Sequence, residues 1–246
     1  MKYIKKYRVI IYILIIAIIG TIGYINFTNK QKYTEIVIER KSDGEVIPTE
    51  TRQPIDFEKM RKKYNKDIVG ALRIVDEDFE EVVFQSKDNE YYLHHNYKGK
   101  YSVNGEIFLD YRTDVDTGKI KLIYGHSAPN YYLPSNTFEK YYDAAYYKEH
   151  KYLELETEKG IYKYEIFSVY VETADFTYMN LNIDNDTYNS YLNKYKEKSL
   201  YDTEVGVEES DNILILQTCS NNSKYKNYEK KYLLYIRSIC FSLSIS

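Results

Sequence analysis

Two short apolar runs each end in a residue that can do chemistry. Ile213-Leu214-Ile215-Leu216 leads into Gln217-Thr218-Cys219, and Leu122-Ile123-Tyr124 leads into Gly125-His126. Runs of this length, rich in isoleucine and bounded by polar residues, have the character of strands. A fold that satisfies both must therefore present a thiol and an imidazole at strand ends. The chain has 2 cysteines and 4 histidines in 246 residues, so a cysteine placed in this way calls for a chemical explanation. The thiolate is the attacking form of cysteine, and a neighbouring imidazole makes it available near neutral pH.

Further strand-like runs surround these two. They are Ile68–Ile74, Glu81–Phe84, Gly105–Asp110 and Ile120–Tyr124, then a hairpin of Lys151–Glu156 and Gly160–Val171, and finally Ile213–Thr218 and Tyr232–Ser238. Tyr91–His95 has the alternation of a short extended piece. Helical spacing is confined to three segments: Phe57–Tyr64, with Asp56 as its cap; Pro134–Tyr147, with Phe138, Tyr141, Tyr142 and Ala145 on one side; and Thr187–Lys198, with Tyr188, Tyr191, Leu192 and Tyr195 at matching offsets. Many short strands and few helices predict a mainly-β, closed or nearly closed barrel with helical decoration. The 31 tyrosines and 9 phenylalanines, with no tryptophan, are mostly packing residues for such a barrel. Length and apolar content fit one core.

The N-terminal end is different. Val9–Ile25 is almost wholly apolar and follows Lys2, Lys5, Lys6 and Arg8. At about 1.5 Å per residue, the run approaches the roughly 30 Å of a bilayer core. The basic flank predicts a cytoplasmic N-terminus, and bulky Tyr24-Ile25-Asn26-Phe27 offers no cleavage site for a removed leader. Residues 1–27 are expected to be a basic tip and transmembrane signal anchor, residues 28–53 a polar stalk, and residues 54–246 an extracellular catalytic domain. Residues 1–30 hold five cations and no acids, so a total charge of −3 leaves −8 on the remainder. An acidic body excludes nucleic acid as a partner, since that role needs basic surface.

At the level of motifs, the chain resembles the sortases, and among them class B. The likeness rests on Pro54-Ile55-Asp56-Phe57 with Asn65–Gly70, Lys87–Leu93, Gly99–Arg112, Ile123-Tyr124-Gly125-His126 and Leu216-Gln217-Thr218-Cys219, and it spans roughly residues 54–240. It implies an eight-stranded barrel with an N-terminal helix and a helix between late strands, behind one transmembrane helix. It implies membrane-tethered transpeptidation: cleavage of a secreted protein's C-terminal sorting signal after Thr, and transfer to an amine of a peptidoglycan precursor or another acceptor. By match to the motifs, Cys219 is the nucleophile and His126 the general acid/base, with Thr218, Gln217 and Ser127 as substrate contacts. The family's late-strand arginine is absent from its usual slot, where Lys231 stands. Lysine is cationic but lacks the two-pronged donor of arginine. Arg237, six residues further along the same strand, is the alternative. Ala71 and Gln217 also depart from the family pattern.

Competing assignments are a membrane-anchored cysteine protease that only hydrolyses, and a catalytically weak or silent sortase-like binding protein. No cofactor or metal is expected, because no ligand spacing or phosphate loop occurs. Asp184-Asn185-Asp186 is the nearest approach to a calcium loop, and capping of the following helix explains it as well. Cys240 is expected to pack in the last strand rather than to bridge Cys219. His94 and His95 are expected to be structural, His150 to be solvated, and Asp110 and Arg112 to pair or support the core.

Overall fold

The structure, a computed structural model, describes residues 15–22, 36–41, 52–128, 133–172, 180–181, 183–219 and 231–238, with residues 172 and 231–238 described by backbone alone. The body begins at α1 (Phe57–Lys63), capped by Asp56, whose carboxylate accepts the Lys59 N–H at 2.9 Å. Then follow β1 (Ile68–Ile74), β2 (Glu80–Phe84), α2 (Tyr91–His94), β3 (Phe108–Leu109), β4 (Ile120–Tyr124), a 3-10 segment (Pro134–Tyr142) and α3 (Ala144–Glu149). The hairpin β5 (Tyr152–Thr157) and β6 (Gly160–Glu172), then α4 (Asn185–Glu197), β7 (Ile213–Cys219) and β8 (Lys231–Ser238), complete it.

The strands close into a barrel in the order β1-β2-β3-β4-β7-β8-β6-β5. β5 returns to β1 with Leu155 opposite Leu72. Alternation along the strands divides the core. One cluster includes Leu72, Val83, Leu109, Ile123, Leu155, Ile166, Leu214 and Leu216, with Phe138, Tyr141 and Tyr147 from the helical segments joining it. The other lies on the opposite strand faces, from Val82, Phe108, Leu122, Tyr124, Ile213 and Ile215, and is covered by Phe57 and Met60 of α1 and Tyr188, Leu192 and Tyr195 of α4. The period-2 pattern therefore fills the lumen with one set of side chains, joined by the 3-10 segment and α3, and seats α1 and α4 on the other.

Three local expectations are corrected. Tyr91–His95 is a helical turn rather than an extended piece, because the Asp88 carboxylate accepts the Glu90 and Tyr91 N–H groups at 2.9 and 2.8 Å and starts the turn. Gly105–Asp110 pairs as a strand only at Phe108–Leu109, since the Glu106 N–H is drawn to the Tyr92 carbonyl of α2 at 2.9 Å. Pro134–Tyr147 is not one helix: Asp143 is extended (φ −93, ψ 118) and its carboxylate caps Ala145 N, ending the 3-10 segment and starting α3. The N-terminal cap of α4 is Asp184, which accepts the Thr187 N–H at 2.8 Å.

Of the segment expected to be a stalk, residues 36–41 lie against the barrel. Arg40 bridges Ile55 by backbone, and Ile36 and Ile38 pack on the helix-covered cluster. Arg40 holds Glu80 at 2.6 Å, and Arg52 and Arg73 hold Glu154 at 2.9 and 2.8 Å. Residues 15–22 are helical, with Ile15, Ile16, Ile18, Ile19 and Ile22 exposed. Among the described residues, no helix is long and apolar enough to cross a membrane; the ends of the Val9–Ile25 run lie outside them.

Among the described residues, Asp110 is the most heavily bonded acid. It is fully buried and accepts from Arg112 Nε and Nη2 at 2.8 and 2.7 Å, Arg112 N at 2.9 Å, Asn89 Nδ2 at 2.8 Å and Tyr124 Oη at 2.9 Å. Burial alone would raise its pKa, but these donors outweigh it and hold the carboxyl below its ordinary value. The Asp110–Arg112 pair allowed by the sequence is thus a structural tie on Tyr124, the last residue of β4. Asp110→Ala should lower unfolding free energy by about 3 kcal/mol, the cost of breaking a buried pair. Denaturant unfolding at unchanged m-value measures it, and a loss under about 1 kcal/mol would contradict this assignment.

Candidate active site

Parallel pairing of β4 with β7 brings the two sequence signals together. Ile120, Lys121, Leu122, Ile123 and Tyr124 lie opposite Ile213, Leu214, Ile215, Leu216 and Gln217, and the Gly125 N–H donates to the Gln217 carbonyl at 3.1 Å. Two residues beyond the Tyr124–Gln217 pair on each chain are His126 and Cys219. Strand neighbours are about 4.8 Å apart, and equivalent positions share a face. Both residues therefore extend the face that carries Leu122, Tyr124, Ile213 and Ile215. There the helix cover ends: Cys219 is exposed and a thiol. Cys240 lies outside the described residues.

His126 is oriented by α2, the helical turn that alternation alone presents as extended. Its Nε2 is 2.9 Å from the Leu93 carbonyl oxygen. A carbonyl only accepts, so this bond assigns the proton to Nε2 and leaves Nδ1 for exchange. Two glycines permit the arrangement. Gly105 has φ +55, and a Cβ there would run into the Tyr92 and Leu93 carbonyls. A Cβ on Gly125 would collide with the Ser135 side chain. Beyond the histidine, Asn136 clamps the backbone: it accepts from Ser127 Oγ at 2.8 Å and Ala128 N at 3.1 Å, and donates to Ala128 O at 3.1 Å.

The expected substrate contacts fall in different places. Ser127 is buried against Asn136. Gln217 is buried opposite Tyr124. Thr218 is wholly buried on the lumen-facing parity of Leu214 and Leu216, and its hydroxyl has no hydrogen-bond partner among the described residues. Its side chain is thus a packing group. Lys231 lies directly across from Cys219 in the antiparallel β7–β8 ladder, whereas Arg237 lies across from Ile213 at the other end. Of the two cations, only Lys231 shares the strand end of the thiol.

His94, His95 and His150 each make a ring contact with a tyrosine. His95 stacks on Tyr91 at 4.5 Å and His94 on Tyr101 at 6.5 Å. His150, expected in water, is instead half-buried, its ring tilted 42° against Tyr146 at 4.2 Å. No group of three or more His, Cys, Asp or Glu residues that could hold a metal occurs among the described residues.

These strand ends meet in a frame already known from solved proteins. No family model matches the chain. Sortase B of Listeria monocytogenes is 39% identical over 171 residues, which is 69% of this chain and 68% of that protein. The chain belongs to the class B sortases. Among solved structures, a Staphylococcus aureus sortase B–substrate complex superposes with a TM-score of 0.67 at 28% identity, covering 76% of this chain and 85% of that one. A sortase B complexed with triglycine gives 0.68 at 28% identity, covering 76% and 86%. A mainly-β sortase barrel with helices, and a cysteine transpeptidase of the sortase type, follow from that membership.

Two acids near His126 carry no sequence signal. Glu81 and Glu106 line one small cavity together with His126, Asn104 and Ser135. Burial, and then the charge of Glu106, pushes the Glu81 carboxyl up to about 8, while burial pushes Glu106 up to about 7 despite the Tyr97 N–H it accepts. Both start from an ordinary 4.5. A raised carboxyl favours the folded state fully below that ordinary value, and the contribution is lost as pH rises through 7 to 8. The melting temperature should therefore fall between about pH 5 and about pH 8. Glu81→Gln/Glu106→Gln should flatten the fall, as read by thermal unfolding across that range; an unchanged slope would contradict the shifts.

Proposed function

We propose that the chain is a membrane-anchored sortase that cuts a secreted protein's C-terminal sorting signal after Thr, holds the protein as a thioester on Cys219 and passes it to an amine of the cell wall. The observation that supports this is the β4–β7 register, whose last pair, Tyr124–Gln217, lies two residues before both His126 and the exposed Cys219. The Cys219 thiol gives its proton to the free ring nitrogen of His126, and the resulting thiolate attacks the Thr carbonyl carbon. The tetrahedral centre collapses as the C–N bond breaks, and His126, through the nitrogen left by its Leu93 bond, gives the departing amine its proton. An incoming amine then attacks the thioester carbon. His126 takes a proton from it, the C–S bond breaks and an amide forms.

Lys231 is the cation for the oxyanion in this scheme, because its backbone is in register with Cys219. As a point charge it supplies attraction without the paired donors of an arginine. Partners follow from the same scheme: a protein bearing a sorting signal, and a peptidoglycan precursor or other amine. Related proteins offer parallels, one a sortase B in complex with substrate and another in complex with triglycine. The apolar run Val9–Ile25, with its basic flank, supports an anchor with the N-terminus inside and the barrel outside. The two rival assignments, a hydrolase and a silent binder, each predict no amide product.

The test is product analysis by mass spectrometry after incubating the chain with a peptide library of Thr-containing signals and an amine. An aminated Thr product is expected; hydrolysed peptide alone would select the protease. Cys219→Ala should abolish the product, and His126→Ala should lower turnover by about 10³-fold. Lys231→Ala should cost about 10²-fold and Lys231→Arg should retain activity, while Arg237→Ala should change turnover by less than about threefold. Equal losses at Lys231 and Arg237 would refute the register assignment.

A further inference from the structure

The turn that holds His126 also carries an exposed aromatic surface. α2 gives its Leu93 carbonyl to the imidazole, and the next residue, His94, is already exposed. In the loop that follows, Tyr101 is 72% exposed and Val103 67%, the highest values for large hydrophobic side chains among the described residues from 36 onward. Ser102 and Asn104 are buried, so Tyr101 and Val103 share the outward side. Single exposed apolar side chains are ordinary, but these adjoin other rings. Tyr91, itself exposed, stacks on His95 at 4.5 Å; His95 meets the Tyr101 ring edge-on at 6.3 Å; and His94 lies nearly parallel to Tyr101 at 6.5 Å.

The loop beneath these rings is tightly bonded. The Asn96 side-chain oxygen accepts the Lys98 and Lys100 N–H groups at 3.0 and 3.1 Å, the Asn96 N–H donates to the Lys100 carbonyl at 2.9 Å, and Gly99 takes φ +69 at the tip. His95 and Tyr101 bridge by backbone, and the Ser102 N–H donates to the His94 carbonyl at 2.8 Å. Rings held in this way lose little freedom when a ligand settles on them. The charge of the segment is opposite to that of the body. Residues 91–105 contain His94, His95, Lys98 and Lys100 and no acid, and both lysines are exposed beside Tyr101. Of the two acids that border the segment, Glu106 is engaged by the Tyr97 N–H at 2.8 Å, and Glu90 precedes α2.

These features select a partner. An exposed tyrosine ring suits the C–H face of a pyranose, and the neighbouring imidazoles suit its hydroxyls. A lipid surface calls for several long aliphatic or tryptophan anchors, and Val103 is the one exposed aliphatic side chain of residues 91–105. The lysine pair calls for an anion and suits phosphate, which lysine binds as a point charge. A sugar joined to phosphate is the chemistry of an activated wall precursor, which carries its amine on a peptide stem. We propose that Tyr101, His94 and His95, with the Lys98-Gly99-Lys100 turn, form a binding surface for a diphosphate-linked amino sugar, the glycan end of the amine acceptor. α2 stands between this surface and the imidazole, so the sugar stays outside the site and only the stem passes to the exposed Cys219. The assignment rests on the transpeptidase reading and goes beyond it by selecting the unincorporated precursor over finished wall glycan, which has no diphosphate.

The test is calorimetric titration of the full-length chain, with no signal peptide present, by UDP-N-acetylglucosamine, UDP and chitotetraose. UDP-N-acetylglucosamine should bind with a Kd about tenfold below that of either control, the equivalent of one ring contact or one ion pair. Tyr101→Ala should weaken it about tenfold and Tyr101→Phe should restore it, while Lys98→Glu/Lys100→Glu should weaken it by at least about tenfold and flatten its salt dependence. These side chains are exposed, and melting temperatures equal to that of the unsubstituted chain would show the variants folded. UDP binding as tightly as the sugar nucleotide would mean that no sugar is read, and chitotetraose binding as tightly would make finished glycan the occupant; either overturns the proposal. So does sugar binding unmoved by the variants. Capture of phosphatidylglycerol vesicles in place of the sugar nucleotide, lost in the lysine variant, would make the surface a membrane contact and also overturn it. The expected binding pattern supports the surface even where no amine yields an amide product, and that second result would count against the transpeptidase reading alone.

Discussion

The parallel pairing of β4 with β7 is the interaction on which the rest depends. These strands are far apart in sequence, and nothing local joins them. Five residue pairs from Ile120–Ile213 to Tyr124–Gln217, extended by the Gly125–Gln217 hydrogen bond, set the relative height of two strand ends. A slip of one residue would turn either Cys219 or His126 to the other face. The register is protected by burial on both faces: Ile123, Leu214 and Leu216 fill one cluster, Leu122, Ile213 and Ile215 the other. The apolar content of these strands is therefore also what aligns the chemistry.

Around this pairing, the structure uses polar ties to fix what packing leaves free. Asp110 gathers Arg112, Asn89 and Tyr124 at the end of β4. α2 reaches over to bind the His126 ring through the Leu93 carbonyl. Asn136 holds the backbone that follows. Each tie acts within three residues of the imidazole along β4 or its extension, and none is a reacting group. On the opposite strand end the geometry is simpler: β8 places Lys231 across from Cys219 by hairpin register alone.

What is legible in the sequence follows from how local each signal is. Strands with clear apolar runs, such as Ile120–Tyr124 and Ile213–Cys219, stand where the pattern puts them, and Asp56 and Asp184 cap the helices they precede. Tyr91–His94 escapes such a reading because alternation over four residues is too short to distinguish a strand from a helical turn, and the deciding contact is a side chain, Asp88, just outside the window. The break at Asp143 is hidden for the same reason. Within the site, the Cys219/His126 pair is visible because each residue ends an apolar run. Thr218 lies beside the thiol in sequence yet faces the lumen, which strand parity alone indicates. Glu81 and Glu106 carry no signal at all. They resemble any surface acids until the fold places them 25 residues apart in sequence on the walls of one cavity.

The measurement that bears most directly on the thiol–imidazole pairing is the intact mass of the full-length chain after brief exposure to a Thr-containing signal peptide with no amine present. An increase equal to the acyl fragment ending in Thr is expected. Digestion should place it on the segment that includes Thr218 and Cys219, and the Cys219→Ala chain should show none. An unmodified chain despite peptide cleavage, or an adduct on any other residue, would contradict the account.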